Sequence, residues 1–278
     1  MASALLNSIG TGFYPFDIRE FDPHKCVRMY CDGMLPEDQN TVIRPTGGAR
    51  SGDMVITIPY SESVNGDRSA SVVRIQDYSS NSSGYIRIQT KNNIILMSRS
   101  WISDRTLPAQ GQLYLGPYEM DTTARVRYNR NGNTGSILVS PRVGWHTGHV
   151  DNVLNSGLGM TETAAFTVLN NETTWFAHTC TTKANDTEEV NRINTGISCD
   201  EWHTLRVYAP AGGKQVVYSI DGSVVHIENN DLYLPNNPAI VPIGQGLQGG
   251  LTFRGVETLT NHPWLDVQWV LIRIFMDR

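Results

Sequence analysis

The sequence predicts an all-β chain, an antiparallel β-sandwich preceded by an irregular N-terminal arm. Three observations carry that expectation. Short runs rich in Val, Ile, Thr and Tyr recur along the chain, each closed by Gly, Asn, Asp or Pro. No long segment places apolar residues at i, i+3, i+4 and i+7, the pattern of an amphipathic helix. Two apolar runs flank Asp221-Gly222, a pair that closes hairpins because both residues tolerate positive φ.

Taken in order, residues 1–52 read as the arm. Pro15, Pro23, Pro36, Pro45 and the Gly47-Gly48 pair interrupt any sustained period there. The aromatics Phe13, Tyr14, Phe16 and Phe21 follow neither period 2 nor period 3.6, so they are expected to anchor assembly with other subunits or, as an equal alternative, to pack across the domain's own open sheet. Residues 53–278 form the expected sandwich, with 53–115 open as a small β subdomain. Strands are expected at 54–58, 71–75 and 85–89, and Ile86 and Ile88 alternate with Arg87 as in a strand buried on one side. Further strands are expected at 93–98, 112–115, 122–128, 136–143, 164–169 and 174–179, with a turn at Asn129-Arg-Asn-Gly-Asn133 and a charged loop at Glu188-Glu189.

Composition bounds the partners. A formal net charge of -5 and a pI near 5.8 leave no basic footprint for nucleic acid. The longest apolar stretch, Trp269-Val-Leu-Ile272, ends at Arg273, far short of a membrane span. The first dozen residues lack the basic and apolar regions of an export signal, so assembly in a cytoplasm is expected. On that footing Asn81, Asn171 and Asn185 are polar loop residues despite their glycosylation patterns, and the four cysteines are reduced thiols. His24-x-Cys26 and His178-x-Cys180 lack a paired C-x-x-C knuckle, and neither a metal nor any other cofactor is expected.

The strongest local signal is Glu201-Trp-His-Thr-Leu-Arg-Val-Tyr208, then Lys214 to Ile220, Asp221-Gly222 and Ser223-Val-Val-His-Ile227. A Trp-His-x-Leu-x-Val strand, a strand ending in Ile-Asp-Gly and a return strand resemble the concanavalin A-like lectin/glucanase (laminin G-like) superfamily. The closing run Trp264 to Ile274 resembles that superfamily's last strand, and the likeness covers about residues 120–278. It implies a jelly-roll sandwich. Such a fold hosts many activities, so function must be argued from particular residues.

Retaining glycosidases of the superfamily carry Glu-x-Asp-x-(x)-Glu on one strand, because a nucleophile and an acid must face one sugar about 5–5.5 Å apart. Glu119-Met-Asp121 begins that pattern, but no second glutamate follows. The lyases need a basic and hydrogen-bonding strand set, to which Arg125-Val-Arg-Tyr128 is the nearest approach. No nucleophile elbow, phosphate loop or dinucleotide fingerprint occurs. The ligand-facing candidates are Trp145, His146 and His149 in one Gly-flanked segment, with Trp175 and His178 from a neighbouring one, since glycan sites use aromatic faces and polar tips; the alternative for the two tryptophans, which carries more weight, is a place at the edge of the core. The expectation is a non-enzymatic structural protein of a larger assembly such as a phage virion, a capsid decoration, fibre or tail component that forms homo-oligomers. The alternatives are a lectin-like module for a host-surface glycan and a divergent glycoside hydrolase or polysaccharide lyase.

Overall fold

A computed structural model of the chain describes residues 26–32, 49–51, 54–57, 71–75, 85–89, 97–99, 118–130, 141–146, 162–168, 172–182, 188–235, 248–252 and 263–275. Among these there is no helix, and none long and apolar enough to cross a membrane. The strands are β1 (Cys26–Asp32), β2 (Ala49–Ser51), β3 (Met54–Thr57), β4 (Ser71–Ile75), β5 (Tyr85–Gln89) and β6 (Met97–Arg99). Then come β7 (Glu119–Asn129), β8 (Arg142–His146), β9 (Glu162–Thr167), β10 (Thr174–Thr182) and β11 (Glu188–Ser198). The last five are β12 (His203–Ala209), β13 (Val216–Ile220), β14 (Ser223–Glu228), β15 (Gln248–Thr252) and β16 (Trp264–Phe275).

The strands form antiparallel sheets, the two largest packed face to face as a β-sandwich. The large sheet has the order β14-β13-β12-β7-β16-β5-β4, with β1 also paired to β16, and the second sheet has the order β11-β10-β9-β8-β15. A separate three-stranded sheet joins β2, β3 and β6. Alternation decides which side chains meet between the large sheets. Met120, Ala124, Val126 and Tyr128 of β7 face Trp145, Phe166 and Trp175 of the second sheet, all within one buried cluster. Tyr218 ties the two layers together: its hydroxyl donates to the His178 carbonyl at 2.9 Å and lies 2.8 Å from Thr179 Oγ1.

The hairpin read from Asp221-Gly222 is present, with φ of 50° and 82° at the two residues. Asp221 also caps it from within, since its Oδ1 accepts from the Thr204 amide at 2.8 Å while its own amide donates to the Thr204 carbonyl at 2.9 Å.

Two sequence expectations are corrected here. Part of the supposed arm belongs to the large sheet, because β1 pairs with β16 in seven consecutive registers from Cys26↔Phe275 to Asp32↔Trp269. The boundary at residue 52 therefore divides a sheet. Glu188-Glu189 is also no loop: it opens β11, whose run of Asn, Arg and Thr suits an edge strand paired on one side to β10. The expected strand at 112–115 and most of the turn at 129–133 lie outside the described residues.

Candidate functional site

The face of β7 turned away from the core carries Glu119, Asp121, Thr123, Arg125 and Arg127, the residues in which glycosidase-like and lyase-like fragments were read. Period-2 alternation puts both fragments on one surface of the large sheet. Neighbouring strands complete it in register. Asp266 of β16 stands between Arg127 of β7 and Arg87 of β5, and Arg273 of β16 stands opposite Asp121. A register shift in β16 between Val267 and Trp269 keeps Asp266 and Arg273 on the same outer face although they are seven residues apart.

Two carboxylates organise this face. Asp266, with no exposed side-chain surface, takes Arg87 Nε at 2.7 Å and Nη2 at 2.9 Å, and Arg127 Nη2 at 2.7 Å and Nε at 3.2 Å. The Asp266 carboxylate raises the pKa of Arg87 against the opposing effect of burial. Asp121, equally buried, takes Arg206 Nη2 at 2.7 Å and Nε at 3.0 Å, Arg273 Nη2 at 2.5 Å, and the Thr123 hydroxyl at 3.0 Å. Burial alone would raise the Asp121 carboxyl, but the charges of Arg206 and Arg273 and the hydrogen bonds from Arg206 and Thr123 hold it below the usual range. A carboxylate so committed neither donates a proton nor attacks a sugar.

Aromatic rings frame the guanidinium groups. Arg127 lies 5.0 Å from the ring centroid of Trp202, Arg87 lies 4.3 Å from that of Trp264, and Tyr85 meets Trp202 edge-on at 5.4 Å. Arg206 sits 4.9 Å from the Tyr208 ring. Trp202 is held by its neighbour, because His203 Nδ1 lies 2.6 Å from Asp221 Oδ2 and thereby fixes the start of β12 to the hairpin turn. The position where the glycosidase pattern calls for its second glutamate is occupied by Thr123 on the outer face or Ala124 in the core, so no acid/nucleophile pair stands on this strand.

The predicted ligand residues are placed elsewhere and are not brought together on an open surface. Trp145 and Trp175 are core residues with no exposed surface, packed between the two large sheets. His146 and His178 point from the other side of the second sheet and are also buried, which lowers both imidazoles to about 3, with the charges of Arg142, and for His178 also Arg192, as a further cause. His149, Phe13, Tyr14, Phe16 and Phe21 lie outside the described residues. Among the described residues no group of three or more His, Cys, Asp and Glu is placed to hold a metal. Sequence reading missed Trp202, Trp264, Arg87, Arg206 and Asp266. The available signal was the alternation of Trp264 and Asp266, and of Tyr85 and Arg87, on strands that were themselves recognised.

No protein-family profile matches the chain, and no curated protein does. Solved structures do resemble it. A protein of unknown function from Shewanella oneidensis MR-1 is similar over 91% of this chain and 87% of its own, at 10% identity and a TM-score of 0.57. A carbohydrate esterase from the Shiga toxin-encoding bacteriophage phi24B is similar over 88% and 97%, at 12% identity and a TM-score of 0.48. A glycoside hydrolase family 16 endo-glucanase from Bacteroides ovatus is similar over 94% and 97%, at 10% identity and a TM-score of 0.41. At such identities the likeness is one of fold. The expectation of a non-enzyme is withdrawn here: structures similar in fold include proteins named as a carbohydrate esterase and an endo-glucanase.

Proposed function

We propose that this protein engages carbohydrate on the outer face of the large sheet, as a carbohydrate-active β-sandwich. The observation that carries the reading is the row Trp202, Arg127, Asp266, Arg87 and Trp264, in which two guanidinium groups stacked on indoles share one buried carboxylate. Aromatic planes offer a sugar ring an apolar surface, and the planar guanidinium fork offers donors at its edge in a fixed orientation. The two arginine side chains keep 26% and 27% of their surface exposed, so the row is reachable from solvent while its anion is not. This reading replaces the non-enzymatic assembly role as the leading one.

Glycan-array binding, followed by product-release assays on every glycan bound, tests it. Binding by the parent and its loss in Trp202→Ala, with the thermal melt retained, is the expected result. Unchanged binding in that variant would move the site off this face, and silence across the array would remove the carbohydrate reading itself.

A further inference from the structure

The outer face of the large sheet has a charge opposite to that of the chain. The whole sequence carries a net charge of -5. On this face, however, the two buried aspartates are met by four arginines, Arg87 and Arg127 on Asp266 and Arg206 and Arg273 on Asp121. Each aspartate thus has one guanidinium in excess, offset beside Asp121 by Glu119 of the same face, and the two aspartates are wholly covered whereas Arg87, Arg127 and Arg206 retain 26%, 27% and 30% exposure. What a ligand meets at the Asp266 end is guanidinium. Exposed Arg28 adds another from β1, where it pairs with Arg273.

These arginines also retain donors. A guanidinium has five N–H donors. Arg87, Arg127 and Arg206 each use Nε and Nη2 on their aspartate, which leaves Nη1 without a hydrogen-bond partner among the described residues. The bonds already made fix the fork, so further bonds to an anion cost little side-chain freedom. Along β7, Arg127 and Asp121 mark the two clusters six residues apart, a span of about 20 Å at the rise of an antiparallel strand. Arg125 lies between them and donates to Thr204 Oγ1 at 3.3 Å.

We infer that the ligand is an anionic polysaccharide, a sugar polymer carrying carboxylate or sulfate groups spaced along an extended chain. The inference rests on the carbohydrate reading above and names its substrate class. Arginines at two separated points suit charges that recur along a polymer, with sugar rings resting on Trp202 and Trp264, which flank the Asp266 cluster. The modest surplus of positive charge on an acidic chain suits a sparsely charged glycan better than a nucleic acid, whose dense phosphates call for a strongly basic surface.

Affinity electrophoresis of the full chain tests this, with polygalacturonate, dextran sulfate, unmodified dextran, a neutral mixed-linkage glucan and single-stranded oligothymidylate as probes. The expected result is retardation by polygalacturonate or dextran sulfate, weakening as salt rises, the responding polymer telling carboxylate from sulfate recognition. Arg127→Gln and Arg206→Gln should each weaken that binding about tenfold or more, as for loss of a charge-assisted hydrogen bond. Because both substitutions disturb a buried carboxylate, Arg125→Gln is the second variant: its guanidinium donates to Thr204 Oγ1 rather than to either aspartate, and its loss should weaken binding with the thermal melt little changed. Retardation by the neutral polymers alone would overturn the anionic assignment and leave the carbohydrate reading standing. Failure of every polysaccharide would overturn both, and oligothymidylate binding as tightly as the acidic polymers would replace the glycan with a nucleic acid.

Discussion

Asp266 accepts four hydrogen bonds from two arginines and exposes none of its side chain, so its charge is what keeps two cations settled against a sheet. Asp266→Asn keeps the shape and removes the charge. Breaking a buried pair costs about 3–5 kcal/mol, and since the two guanidinium groups can relax toward solvent the lower end, about 3 kcal/mol, is expected in urea unfolding. A loss below about 1 kcal/mol would mean that the arginines do not depend on this anion. Lys214 and Asp231 make the contrasting case: they are 3.9 Å apart and largely exposed, and their removal should leave the midpoint unchanged. The same residues mark how far the sequence could be read. Glu119, Asp121, Arg125 and Arg127 stand within nine positions of one strand, so their alternation places them together without a structure. Asp266 lies 139 and 179 residues from its partners Arg127 and Arg87, and only the strand order β7-β16-β5 brings them into one row.

Among the elements, those with strong local signals were legible: β4 and β5 occupy the residues expected of them, and the β13–β14 turn has positive φ at both of its residues. Gly222→Val should lower stability by about 1–3 kcal/mol, because a β-branched side chain is strained at φ of 82°. Space is not the obstacle, since a Cβ there meets nothing within 4 Å, so Gly222→Asn should recover much of the loss. An equal loss in both variants would point to a cause other than backbone strain. The elements that escaped reading lack local signals. β11 is Glu-Glu-Val-Asn-Arg-Ile-Asn-Thr-Gly-Ile-Ser, polar enough for a loop, and becomes a strand because β10 supplies its hydrogen bonds. β1 sits between Pro23 and Pro36 and is specified by the open side of β16 rather than by its own pattern. Deleting residues 1–52 removes β1 and strips the partner from residues 269–275 of β16, so the shortened protein should lose its cooperative melt. A parent-like melt after that deletion would mean that β1 contributes little to the sheet.

At the scale of the whole molecule, the sandwich hides ionisable groups whose protonation the unfolded chain would accept freely. His146 and His178 are buried on the second sheet with imidazoles lowered from 6.5 to about 3, first by burial and then by neighbouring arginine charge. The unfolded chain takes up both protons as the pH falls through about 6.5, whereas the folded chain refuses them until about 3. The stability these histidines confer is therefore complete above the unfolded value and is lost progressively as the pH drops toward the folded one. Each contributes a slope of about 1.4 kcal/mol per pH unit, so the pair withdraws about 5 kcal/mol between pH 6 and pH 4. A domain of this kind is stable by about 5–15 kcal/mol, which makes that loss large enough to bring the urea midpoint down steeply and to unfold a marginal molecule near pH 4. Asp121 adds little in that window, because its contribution begins to be lost only as the unfolded carboxyl takes up its proton near pH 4 and goes on being lost in stronger acid, toward the lowered folded value. Urea midpoints measured from pH 7 to pH 4 should fall with an uptake approaching two protons per molecule unfolded, and His178→Gln should halve the slope. A midpoint independent of pH across that range would mean that the histidines are charged or exposed in the folded protein.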